Sequence, residues 1–188
     1  LPLLPHLQAM VEAGVDLIQL REKDLASREL LGLSKTAVEV SRGSRTRIVV
    51  NDRLDIAMAS GAQGVHLGGK SAPPEVVRCH VEKDFLVGAS CHSLAEALKA
   101  EAGGADYIVL GPIFDTPSKC QYGPPLGLNK LSEVANRIKI PVLALGGITV
   151  ERVRPCLDAG AMGIAAIRLF QEGPSPADRI RELREQFG

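Results

Sequence analysis

Short apolar runs alternate with amphipathic stretches along the whole chain. Residues 2–13 place Leu3, Leu4, Leu7, Met10 and Val11 at a 3.6-residue period, which predicts a helix ending at Gly14. An apolar strand is predicted next, over 15–20, and then a second amphipathic helix over 26–41, with Leu30, Leu31, Leu33, Ala37, Val38 and Val40 on its apolar face. Further strands are predicted at 48–50, 65–67, 85–89, 107–110, 142–145 and 164–167. Helices are predicted between them at 54–59, 73–82, 94–102, 128–138 and 150–158, with a closing helix at 176–186. Ser93 and Thr149 stand at helix starts as caps, and Glu96 completes a capping box with Ser93.

The strands are short and rich in Val, Ile and Leu, as in parallel sheets covered on both faces. Four phrases share one form, helix, glycine, then strand: AGVDLI, SGAQGVHL, GGADYIVL and AGAMGIAAI. Their glycines, Gly14, Gly61, Gly104 and Gly160, are 47, 43 and 56 residues apart, room for two strands and two helices each time. The fold class is therefore α/β, with a (β/α)8 TIM barrel as the leading architecture and a single domain over 1–188. A doubly wound sheet also alternates strand and helix, but neither GxGxxG nor GxxxxGK occurs. Eight helices and only seven strands are predicted, so a first strand upstream of Leu1 is expected.

Composition narrows the function classes. The 188 residues carry 22 basic and 22 acidic side chains, so a general nucleic-acid surface is not expected. No apolar run approaches the roughly 20 residues of a membrane span. Cys79, Cys91, Cys120 and Cys156 are widely spaced, which gives no zinc motif and fits reduced thiols in a cytoplasmic protein. A homo-oligomer is left open.

In a barrel the chemistry gathers at the carboxyl ends of the strands. Those ends carry Gln19, Arg21 and Lys23; Asn51, Asp52 and Arg53; His66; Ser90 and His92; Thr116, Ser118 and Lys119; Gly146 and Gly147; and Arg168. Cations, hydroxyls and glycines with one well-placed carboxylate suit a phosphorylated or pyrophosphorylated substrate. The loop GPIFDTPSKCQYGPPLG at 111–127 is too long for a plain connector, and its hydroxyls and lysine suit a phosphate. Other readings stand beside these. Arg21 and Lys23 can pair with Glu22 and Asp24, Asp52 can cap the helix at 54–59, and His66 can be a core histidine. His92 reads as structural, and Cys91 and Cys120 carry no mark of an activated nucleophile.

At this point QLREKDL (19–25), VNDRLDIA (50–57), GVHLG (64–68), GASCHS (88–93), GPIFDTPSK (111–119) with PPLGL (124–128), and LGGIT (145–149) together resemble thiamine phosphate synthases. The resemblance implies a (β/α)8 barrel that couples hydroxymethylpyrimidine pyrophosphate to a thiazole phosphate and releases pyrophosphate. It implies that Gln19, Arg21, Lys23, Asn51 and Lys119 hold the pyrimidine pyrophosphate, with Ser90 beside the reacting group. It implies that Thr116, Ser118, Gly147 and the backbone at Ile167 and Arg168 hold the thiazole phosphate. Lys119, Ser90 and Asp52 are the implied catalytic residues, and Asp52 the implied ligand of Mg2+. Three positions depart from the family pattern. Ser71 stands where a second acidic metal ligand is usual, Arg168 where a serine is usual, and Cys91 where a threonine is usual. The related thiazole tautomerase is the runner-up, supported by the SxPP run after Lys70 and opposed by Pro112, where that enzyme has a histidine. A non-catalytic paralogue that binds thiazole phosphate or thiamine phosphate is the third reading.

Overall fold

All seven apolar runs become strands, and every one is parallel to its neighbours. The computed structural model describes residues 3–116, 124–173 and 175–188. Its element order is α1 (Leu3–Glu12), β1 (Leu17–Leu20), α2 (Ser27–Ser41), β2 (Arg47–Asn51), α3 (Leu54–Ser60), β3 (Gly64–Leu67), α4 (Pro74–Arg78) and β4 (Leu86–Cys91). It continues with α5 (Leu94–Ala102), β5 (Tyr107–Leu110), α6 (Gly127–Ala135), β6 (Val142–Leu145), α7 (Val150–Asp158), β7 (Gly163–Ala165), α8 (Arg168–Gln171) and α9 (Pro176–Glu185). The strands pair in chain order, β1 to β7, in one sheet. Helices α2 to α7 each carry the chain from one strand back to the amino end of the next, the crossover that parallel strands require.

Burial explains the sequence pattern. Every residue of β3 and of β5 is buried, because side chains on both faces meet apolar neighbours. Ile48, Val50, Val65, Val87, Ile56 and Val77 gather beneath the first half of the sheet. Ile108, Leu110, Ile113, Leu131, Val134 and Val153 form the matching core beneath the second half. The recurring glycines sit where an L side chain is strained: Gly14, Gly61, Gly104 and Gly160 have φ of 78°, 74°, 83° and 95°.

Burial falls off at the two ends of the sheet. Only Leu20 is buried in β1, and only Gly163 in β7. Among the described residues these two strands do not pair with each other. The helical layer nevertheless closes across the gap. Helices α1 and α9 pack together, and Arg184 of α9 donates to Gly14 O at 3.2 Å and to both carboxylate oxygens of Asp16 at 2.7 Å.

Several local expectations change; the helix expected over 128–138, for example, ends at Ala135. Helix α4 ends at Arg78, because that guanidinium turns inward to Gly104 O, Phe85 O and the Asp106 carboxylate. Strand β4 runs on to Cys91. Thr149 stands at the start of α7 as expected, but its side chain accepts no capping bond from the helix backbone. Arg168 does not end a strand; it opens the short helix α8, which the apolar run GIAAIRLF conceals.

Candidate active site

The carboxyl ends of β1 to β4 form the best-described part of the site. Gln19 in β1 and Asn51 in β2 meet across the strand pair, with Gln19 Nε2 donating to Asn51 Oδ1 at 2.7 Å. Asn51 Nδ2 in turn donates to Asp52 Oδ2 at 2.6 Å. The Gly68 N–H, just past β3, donates to Asp52 Oδ1 at 3.0 Å and to Ser71 Oγ at 2.8 Å. Ser71 Oγ–H donates to the same Asp52 oxygen. Asp52 thus collects donors from β2, from the β3 end and from the loop beyond it. Its backbone adopts φ 61°, a left-handed conformation that Asp tolerates better than most residues and that recurs at functional sites. It is not the cap of α3, which Arg53 precedes directly.

Burial pushes the Asp52 carboxyl up. The bonds from Ser71, Gly68 and Asn51, with the Arg21 charge, outweigh this and hold it below the ordinary aspartate value. Asp52 is therefore an anion at neutral pH. It faces a cleft of about 230 Å³ that also receives Arg21, Lys23 and Lys70. Three cations against one carboxylate leave the cleft with an excess of positive charge. Ser90, His92 and Gly111 form the farther wall. A larger hollow, about 550 Å³, lies at the amino ends of the strands beside the α2–β2 turn. Arg42, Arg45 and Arg47 line it without a carboxylate, and its hydroxyls of Ser41 and Ser44 are spent on neighbouring backbone, so the chemistry is assigned to the carboxyl end.

Ser90 is held from behind. Its Oγ lies 2.9 Å from His66 Nε2, and His66 Nδ1 lies 3.2 Å from the Tyr107 hydroxyl. His66 is buried as a core histidine would be, yet it contacts a cleft residue. Burial lowers its pKa from 6.5 to about 4, so the ring is neutral. His92 Nδ1 bonds Gly111 O at 2.5 Å, which ties β4 to the loop after β5 and agrees with a structural role. Burial pushes the Cys91 thiol up to about 12, which leaves it inert.

The ends of β5 to β7 supply a second group. Arg168 Nη2 lies 3.3 Å from Thr116 Oγ1, which brings α8 against the loop after β5. Gly146 and Gly147 have φ of 100° and 64°, and a Cβ on Gly147 would lie 2.5 Å from Asp115 O. Bare backbone is thus required there. Ile167 is 61% exposed beside them. Ser118, Lys119 and Cys120 lie outside the described residues.

Three contributors escaped the sequence reading: Gly68 as a backbone donor, Tyr107 behind His66, and Arg152. Arg152 donates to Gly147 O at 2.7 Å and stacks over the Phe114 ring at 4.6 Å, so it braces the glycine turn. Tyr107 carries the one polar side-chain atom of an otherwise apolar strand, which was its only signal.

A seven-stranded parallel α/β sheet with a cationic cleft at its carboxyl edge defines an α/β enzyme suited to phosphorylated substrates. The chain belongs to the thiamine monophosphate synthase family, whose sequence model matches residues 2–170. It is 45% identical over 174 residues to a thiamine-phosphate synthase of Methanoculleus marisnigri, covering 93% of this chain and 82% of that one. It is 36% identical over 181 residues to a thiamine-phosphate synthase of Roseiflexus castenholzii, covering 96% and 79%. Its structure resembles a thiamine phosphate pyrophosphorylase from Pyrococcus furiosus, with a TM-score of 0.88 and 34% identity over 98% of this chain and 89% of that one.

Proposed function

We propose that this protein is a thiamine phosphate synthase: it couples hydroxymethylpyrimidine pyrophosphate to a thiazole phosphate and releases pyrophosphate. The observation that carries the reading is the cleft where Arg21, Lys23 and Lys70 surround the one carboxylate of Asp52, in a chain of this family. In this reaction the bond between the pyrimidine methylene carbon and the diphosphate oxygen breaks, and its electron pair leaves with the diphosphate. The thiazole nitrogen lone pair then forms the new carbon–nitrogen bond. Negative charge grows on the departing oxygen, so fixed cations and donors lower that barrier most. Arg21 and Lys23 are positioned for this at the cleft wall, Gln19 and Asn51 arrange polar groups beside them, and Ser90 offers a hydroxyl. Lys119 is assigned to the same diphosphate from its place in the loop sequence.

Thr116, Ser118, Gly147 and the backbone at Ile167 and Arg168 are assigned to the thiazole phosphate. The approach of Arg168 to Thr116 supports this, since both then face one anion. Holding the two reactants in line supplies the proximity term.

The donor set fits Mg2+ in a particular way. Among the described residues no group of three or more metal-binding side chains exists. Asp52 alone offers a carboxylate, and Mg2+ is commonly held by one or two carboxylates together with substrate phosphates. We assign Asp52 as the protein ligand, with Ser71 beside it. When bound, the ion would neutralise diphosphate charge.

The complete (β/α)8 barrel belongs to this proposal, with an eighth strand between β7 and β1. The poorly buried, mutually unpaired β1 and β7 support it, since open edges are unfavourable. A single cytoplasmic domain acting on small phosphorylated molecules, rather than on nucleic acid or membrane, is part of the same reading; no helix among the described residues is long and apolar enough to cross a membrane.

The bond from Ser71 to Asp52 favours a second reading, a sensor that binds thiazole phosphate or thiamine phosphate without turnover. One assay separates the cases: purified protein with each substrate and with both, with and without Mg2+. Pyrophosphate release that needs both substrates supports the synthase. Isomerisation of the thiazole substrate alone supports the tautomerase, and tight binding without turnover supports the sensor.

A further inference from the structure

Two buried polar groups have no part in the chemistry above, His66 and Tyr107, which are 2% and 7% exposed. They lie on β3 and β5, on either side of β4. The strand register aligns His66, Gly88 and Tyr107 in one row across the three strands. Gly88 makes that row possible. A Cβ there would fall 2.2 Å from Tyr107 Cζ and 2.4 Å from its hydroxyl oxygen, so the phenol lies in the space a side chain would fill. From that position the hydroxyl reaches His66 Nδ1, and the far nitrogen of the same ring reaches Ser90.

The chain of bonds has a direction. His66 is the hydrogen-bond partner of the Tyr107 hydroxyl among the described residues. A buried phenol proton without an acceptor is costly, so Tyr107 O–H donates to Nδ1. A neutral imidazole accepts at one nitrogen and donates from the other, so Nε2–H donates to Ser90 Oγ. The Ser90 proton is then not drawn toward the core, and Ser90 lines the cleft. With the opposite tautomer, the Ser90 proton would be committed to His66 and only lone pairs would face an incoming anion.

We propose that His66 and Tyr107 are positioning residues that set Ser90 as a hydrogen-bond donor toward the anion held in the cleft. The proposal rests on the synthase reading only for identifying that anion as the substrate diphosphate. Ser90 touches the anion; the two buried residues act through it. This row gives the core tyrosine, the strand glycine and the buried histidine a common task, which packing alone does not require of them.

Two measurements test it, and neither needs turnover. The first is long-range 1H–15N correlation of the His66 ring in the free protein at neutral pH. An Nε2–H tautomer is expected, lost to a mixture in Tyr107→Phe; a pure Nδ1–H tautomer overturns the proposal. The second is calorimetric titration with inorganic pyrophosphate of wild type, Ser90→Ala, His66→Leu and the double variant. Each single change is expected to weaken binding roughly 10- to 100-fold, as for loss of one hydrogen bond to a charged group. The double variant is expected to be no weaker than Ser90→Ala, because both changes remove one interaction. His66→Gln, which keeps a donor toward Ser90, is expected to recover part of the loss. Additive losses, or a wild type that binds no pyrophosphate, overturn the proposal. Where His66→Leu fails to fold, Tyr107→Phe replaces it in the same cycle with the same expected non-additivity. Absence of synthase turnover with these results intact would sink the functional reading and leave the positioning role standing.

Discussion

Ser71 donates its hydroxyl proton to the carboxylate of Asp52, and the Gly68 N–H bonds both of them. A hydroxyl thus occupies the place from which a second carboxylate would help hold a cation. Ser71→Asp sets two like charges side by side, and such a pair strongly favours a bound cation. Mg2+ affinity is expected to rise by roughly 10-fold or more, read by calorimetry in the presence of pyrophosphate. An unchanged affinity would count against the role given to this position.

The buried histidine makes stability depend on pH in a stated direction. The folded-state pKa of His66 is about 4, below the usual 6.5. Between these values the unfolded chain binds the proton and the folded one does not. Stability from this group is therefore full above about pH 6.5 and falls as the pH drops toward 4, by roughly 3 kcal/mol across the window. Asp52 acts at lower pH: its depressed carboxyl adds stability above the ordinary aspartate value, lost as the pH falls through the folded-state value. Denaturant unfolding from pH 7.5 to 4.5 is expected to show a shallower decline for His66→Gln than for wild type. Parallel declines would remove the histidine from the account.

Gly88 leaves no space for a methyl group. Gly88→Ala is expected to destabilise the protein by roughly 1–3 kcal/mol through overpacking against the Tyr107 ring. It should also reduce turnover by displacing the hydroxyl from His66. Full stability together with full activity would contradict the packing described.

Arg168 opens α8 and leans on Thr116. If it clamps the thiazole phosphate, Arg168→Ala raises KM for that substrate by roughly 10-fold or more, as for loss of a charge-assisted bond, with a smaller change in kcat. A lower KM would show that the guanidinium obstructs the pocket instead.

Much of this was legible in the sequence, for physical reasons. Short runs such as Ile48–Val50 and Tyr107–Leu110 are apolar because both faces of the sheet are covered, so strand positions could be read directly. Gly14, Gly61, Gly104 and Gly160 marked the helix-to-strand turns because each needs a left-handed backbone. The strand ends carrying Gln19, Arg21, Lys23, Asn51 and Asp52 followed from these. What stayed hidden depends on contacts between strands. The row of His66, Gly88 and Tyr107 is a matter of register, and the bond from Ser71 to Asp52 joins residues 19 apart. Helix α4 ends early because Arg78 serves partners as distant as Asp106, which its own periodicity cannot reveal. The start of α8 at Arg168, expected instead as the end of a strand at 164–167, is hidden because Ile164 to Phe170 is nearly uniformly apolar and shows no period to break.

The cationic cleft is expected to drive departure of pyrophosphate and coupling of the two rings. The most direct test supplies purified protein with hydroxymethylpyrimidine pyrophosphate and thiazole phosphate, and measures pyrophosphate and thiamine phosphate together. Equal amounts of both products are expected, with turnover reduced by orders of magnitude in Lys119→Ala and Arg21→Ala. Failure to form thiamine phosphate, or near-normal turnover in both variants, would contradict the account.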